Sequence, residues 1–149
     1  MTETIVVSTT VNAPHFLKLL CENAKKYNRE NSVSFIIIGD VKTPKEARIM
    51  CSAFAEEFQM SIKYLDINDQ EKALKDYKEL WDLIPFNDGV RKIIGTFLAY
   101  MAGCDRLIMI DDDNFPIRGD YFESHNIVGT ETEMHLITSD IGWYNVAEA

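Results

Sequence analysis

The chain has 149 residues, 46% hydrophobic and 26% charged, an ordinary globular balance with length enough for a single domain around a buried core. Its formal charge of −9 argues against a nucleic-acid backbone or an anionic membrane as the main partner; an anionic small molecule stays open if a metal and local cations offset the field. Cys21, Cys51 and Cys104 are odd in number, far apart and set in apolar stretches, with no CxxC pair, which disfavours disulfides and zinc and fits core thiols in the reducing cytoplasm. No signal peptide is visible, and no apolar run approaches a membrane span.

Strands and helices alternate along the chain. Residues 4–11 are β-branched and mostly apolar, as a buried strand requires. Pro14 suits a first helical turn, followed by an apolar face of Leu17, Leu20, Cys21 and Ala24. A second strand, 33–38, ends at Gly39-Asp40. Thr43-Pro44-Lys45-Glu46 has the form of a capping box, and Ala47, Met50, Cys51, Phe54, Ala55 and Phe58 keep helical spacing after it. A third strand is expected over 61–67. Asp69 is the candidate cap of a helix over 70–81 with Ala73, Leu74, Tyr77, Leu80 and Trp81 inward.

Pro85 breaks that pattern. Asn87-Asp88-Gly89 offers the next cap, Val90, Ile93, Ile94, Phe97, Leu98 and Met101 form a stripe, and Gly103 ends it. A strand over 106–110 leads into Asp111-Asp112-Asp113-Asn114. Residues 134–139 read as one more strand. The aromatic segment Ile141-Gly142-Trp143-Tyr144-Asn145 then follows with little chain left, so the natural protein is expected to continue. This order predicts an α/β fold: a doubly wound, mostly parallel sheet with flanking helices, forming one domain over 1–149.

In such a sheet the strand ends converge on one edge. They carry Thr9 and Thr10, Gly39-Asp40, Asp66, and Asp111 to Asp113. Three like charges in a row repel one another, a cost most readily carried where something positive relieves it. Clustered hard oxygens at the carboxyl end of a buried strand suit Mg²⁺ or Mn²⁺ bridging to phosphate. Arg91 and Lys92 stand in the first turn of the helix after Asp88, where free N–H groups and the positive helix end favour an anion. Together the acidic step and the cationic helix start complement a diphosphate.

In order and spacing these segments resemble the nucleotide-sugar-binding, Rossmann-like half of a GT-A fold glycosyltransferase. The parts that match are the opening strand with Thr9 and Thr10, Asp40, Asn87-Asp88-Gly89-Val90-Arg91-Lys92, and residues 107–114 in the place of the DxD motif. The triple Asp is similar to that of the plant reversibly glycosylated proteins. The resemblance spans about residues 4–145. It implies a nucleoside diphosphate sugar donor, an unknown acceptor and Mn²⁺ or Mg²⁺. It further implies that Asp113 coordinates the metal directly, that Asp111 binds the ribose or the metal through water, and that Asp112 shares either task. Thr9 and Asp40 would contact the nucleoside, and Arg91 or Lys92 the diphosphate. Ile93 departs from the family, which often has Asn there. The third metal ligand and any catalytic base would lie further along, leaving the catalytic residues unknown and the isolated chain an incomplete catalyst whose missing wall a homo-oligomer could supply.

Blander readings stand beside these. His15 lies on a first helical turn and His125 and His135 lack the spacing of a local ligand pair, with His125 kept as a distant candidate because it follows the acidic step closely; Arg118-Gly119-Asp120 is a coincidental tripeptide in a cytoplasmic chain, and Trp143 suits core packing as well as sugar stacking. Other functions consistent with the pattern are a sugar-nucleotide mutase and a non-catalytic nucleotide-sugar-binding domain. A phosphoacceptor receiver module fits poorly, because no acidic pair follows the first strand.

Overall fold

The computed structural model describes residues 3–133. The elements are β1 (Thr4–Thr10), α1 (Phe16–Lys26), β2 (Val33–Gly39), α2 (Glu46–Phe58), β3 (Ile62–Leu65), α3 (Ile67–Ala73), α4 (Lys78–Leu83), a 3₁₀ turn (Gly89–Arg91), α5 (Lys92–Met101), β4 (Arg106–Ile110) and a second 3₁₀ turn (Glu123–His125). The four strands form one all-parallel sheet in the order β3-β2-β1-β4. The α/β class and the parallel sheet with flanking helices agree with the sequence. The strand expected over 134–139, together with His135 and Trp143, lies outside the described residues.

Both faces of the sheet are covered, which is why its strands are apolar almost without interruption. Val6, Phe35, Ile37, Ile108 and Ile110 pack with Leu17, Leu20, Cys21, Ala24 and Cys51 of α1 and α2. The alternate residues Ile5, Val7, Ile36 and Ile38 pack with Leu74, Ile94 and Ala99 on the other side. Burial pushes the thiols of Cys21 and Cys51 up to about 12, so both are protonated core groups at neutral pH. No helix among the described residues is long and apolar enough to cross a membrane.

Three local expectations are corrected. The helix expected over 70–81 is two helices, α3 and α4, and its cap is Asp66 rather than Asp69: Asp66 Oδ1 accepts the Asp69 N–H at 2.9 Å. Ending α3 at Ala73 lets Leu74 enter the core while Tyr77 stays exposed. Thr43 does not cap α2; its hydroxyl accepts the Asp40 N–H at 2.7 Å and donates to Thr10 O at 2.5 Å, tying β2 to β1.

The stripe of α5 is turned by about one residue. Ile94, Gly95 and Ala99 are buried, while Val90, Ile93 and Met101 are exposed. The cause is close helix–sheet packing, since a Cβ on Gly95 would sit 2.5 Å from Val7 Cγ1. The Asp88 cap is as expected, Oδ1 accepting the Val90 N–H at 2.8 Å, and Gly103 ends the helix region at φ +74°.

Candidate functional site

The chain steps outward from β1 to β2 to β3, then returns across β1 to add β4 on its other side. That reversal makes the carboxyl ends of β1 and β4 the switch point, where open α/β sheets leave a crevice. Ser8 pairs with Ile110 and Thr10 with Gly39, so the residues just beyond stand side by side. A crevice of about 260 Å³ is lined there by Thr9, Thr10, Asp40, Asp88 and Asp111 to Asp113, with Asn87 and Gly89 on its wall. Six of the seven residues selected from the sequence lie at or beside it: Thr9, Asp40, Asp111, Asp112 and Asp113 line it, and Lys92 reaches Asp111.

Each carboxylate has a different setting. Asp112 Oδ2 accepts from Thr10 Oγ1 at 2.7 Å and from Asn12 Nδ2 at 3.3 Å. Asp111 is paired with the Lys92 ammonium, which also approaches Ile110 O at 3.5 Å. Asp113 is exposed and, among the described residues, accepts only from Asn114 Nδ2, at 3.2 Å. Asp40 is buried, with Oδ1 accepting the Val41 N–H at 2.7 Å and Oδ2 without a hydrogen-bond partner. Thr9 Oγ1 donates to Ile38 O at 3.1 Å. Asp40 also lines a neighbouring cavity of about 620 Å³ at the ends of β2 and β3, with Thr43, Arg48, Tyr64 and Asp66.

Arg91 departs from its expected role. Its side chain is fully buried, tied to Gln70 Oε1 at 2.6 Å and placed over the rings of Trp81 and Phe86, so it does not present its charge to the crevice. The physical reason is its position: Arg91 lies three and four residues before Ile94 and Gly95, on the face of the helix start that packs inward. Lys92, one residue on, reaches the crevice through its pairing with Asp111.

Among the described residues, no three of His, Cys, Asp or Glu are grouped to hold a metal ion. The donor set at the crevice is nonetheless of the kind a hard cation takes, since Mg²⁺ commonly uses one or two carboxylates and completes its shell with water and substrate phosphate. The exposed carboxylates at the crevice are Asp88, which caps the helix start, Asp111, which is paired with Lys92, and Asp113.

Neither His15 nor His125 lines the crevice. His15 is exposed, and His125 Nδ1 lies 3.0 Å from Tyr121 O. Asp120 of the Arg-Gly-Asp tripeptide is paired with Arg29 at 2.8 Å, a structural contact. Reading the sequence missed Asn12, whose place in the loop straight after β1 was the available signal, and Gln70, a buried amide with none. No protein-family model and no curated protein matches the chain.

Proposed function

We propose that the crevice between the ends of β1 and β4 binds the diphosphate of a nucleoside diphosphate sugar with Mn²⁺ or Mg²⁺, and that the chain is the donor-binding part of a GT-A-like glycosyltransferase. One observation carries this reading: the acidic step, Thr9, Asp40 and the Asp88-capped helix start, far apart in sequence, line one crevice at the switch point. Five aspartates line it, in a chain of net charge −9. A bare diphosphate would be repelled there, so anion binding has to be metal-dependent.

Asp113 and Asp111 would hold the metal, whose chemistry when bound is Lewis-acid neutralisation of the leaving diphosphate. Lys92 would turn from Asp111 to a phosphate oxygen once the metal takes up that carboxylate. Thr9 and Asp40 would meet the nucleoside. The crevice alone, about 260 Å³, is small beside ligand sites of roughly 300–1,000 Å³, and the adjoining 620 Å³ cavity around Asp40 makes up the difference.

The test is thermal shift against a panel of nucleoside diphosphates with and without Mn²⁺. Stabilisation requiring both ligand and metal supports the reading. Metal-independent stabilisation by every nucleotide, or none at all, contradicts it. Donor binding without sugar transfer or hydrolysis would turn the assignment to a nucleotide-sugar-binding domain.

A further inference from the structure

Arg91 joins three parts of the molecule from inside. Its guanidinium centre lies 5.1 Å from the centre of the Trp81 ring and 4.6 Å from that of Phe86. One terminal nitrogen donates to Gln70 Oε1 at 2.6 Å, and the other to Ile84 O at 3.4 Å and Pro85 O at 3.2 Å. Gln70 Nε2 donates in turn to Gly39 O at 2.6 Å and Leu65 O at 2.9 Å, fastening the ends of β2 and β3. The remaining donor, Nε, has no hydrogen-bond partner and faces the equally unpartnered Asp40 Oδ2 at 3.9 Å, with the two side chains 0% and 1% exposed.

Burying such a charge is costly, and well-packed apolar residues often stabilise as well as a buried ion pair does. An arginine here is better explained by what only it supplies: a permanent charge, a planar fork and a flat surface for stacking. Asp40 lines the crevice, and so do Asn87, Asp88 and Gly89, which follow the carbonyls of Ile84 and Pro85 after the single residue Phe86, on whose ring the guanidinium rests.

We propose that Arg91 is a positioning residue of the crevice: its charge fixes the Asp40 carboxylate and its fork fixes the wall at residues 87–89, without itself touching a ligand. This concerns the unliganded protein, so it stands or falls separately from donor binding.

The test is a double-mutant cycle read by urea unfolding. Arg91→Met should raise the unfolding constant about a hundredfold or more, because it strands the Asp40 charge in the interior. Adding Asp40→Asn should recover at least about tenfold of that loss. If the two losses simply add, Arg91 is only a packing peg and the proposal is wrong. Arg91→Lys decides the matter if Arg91→Met does not fold, since it keeps the charge but neither fork nor flat stack. In that variant the amide resonances of Asn87, Asp88 and Gly89 should move while that of Val41, the donor to Asp40 Oδ1, holds its place. Unmoved resonances at 87–89, or an equal shift at Val41, would overturn the proposal.

Discussion

At the end of β3 two carboxylates share one guanidinium and a helix start; at the end of β4 stand three carboxylates, of which Asp111 alone is paired with the Lys92 ammonium. Arg48 bridges Asp66 at 2.7 Å and also pairs with Asp69, while Asp66 caps α3. At β4, Lys92 serves Asp111, Asp112 receives a hydroxyl and an amide, and Asp113, among the described residues, has its neighbour Asn114. The first cluster is balanced by the fold that needs it. The second leaves more negative charge over, facing a crevice, and among the described residues Asp113 makes no hydrogen bond beyond that with Asn114. Under the proposed function, that surplus charge is where a bound cation would complete the electrostatics.

The largest effect that sharpens this contrast is on ligand binding. Lys92→Met should weaken metal-dependent nucleoside diphosphate binding about ten- to a hundredfold, the worth of a lost charge-assisted hydrogen bond. It should leave nucleoside binding nearly unchanged, and calorimetry with each ligand separates the two. Equal affinities in variant and parent would return Lys92 to being a partner of Asp111 alone.

Next in size is the balanced cluster. Asp66→Ala removes the α3 cap and should cost about 1 kcal/mol, within the 0.5–2 kcal/mol range of such caps, in urea unfolding. Asp113→Asn should instead stay within about 0.5 kcal/mol of the parent and lean towards stabilisation, since it relieves repulsion without removing a partner the fold requires. If Asp113→Asn destabilises as much as Asp66→Ala, the two clusters are alike and the contrast fails.

The smallest effect is on acid sensitivity. Burial works to raise the Asp66 carboxyl, but the Asp69 N–H and the Arg48 guanidinium outweigh it and hold its pKa below the ordinary value. A lowered folded pKa gives stability that is fully present above the unfolded value of about 4 and lost as pH falls through the folded one. Asp66→Asn should therefore lower the melting temperature at neutral pH slightly and shrink its further fall below about pH 4. An acid limb identical to the parent's would remove Asp66 from the account.

Much of this architecture was legible because buried parallel strands and capped helices leave strong local marks. The strand 106–110 and the Asp88 cap stand where the pattern put them. What was not legible has one recurring cause, the contribution of small or polar residues to a core. Gly95 and Ala99 do not stand out in an apolar stripe, yet close approach to Val7 turns α5 onto them and carries Arg91 inside. Arg91 and Lys92 are therefore neighbours in sequence with opposite fates. Asp66 and Asp69 stand three apart and both suit a cap; a third strand expected to run to residue 67 favoured Asp69, and the end of β3 at Leu65 makes the cap Asp66.

The central claim is metal-dependent binding of a nucleoside diphosphate at the β1–β4 crevice. It is tested most directly by titrating nucleoside diphosphates into the parent chain and into Asp113→Asn by calorimetry, with and without Mn²⁺. The parent should bind one of them only when Mn²⁺ is present, and the folded Asp113→Asn variant should lose that binding. Affinity that is unaffected by the metal, or Mn²⁺-dependent affinity that survives in Asp113→Asn, would contradict it.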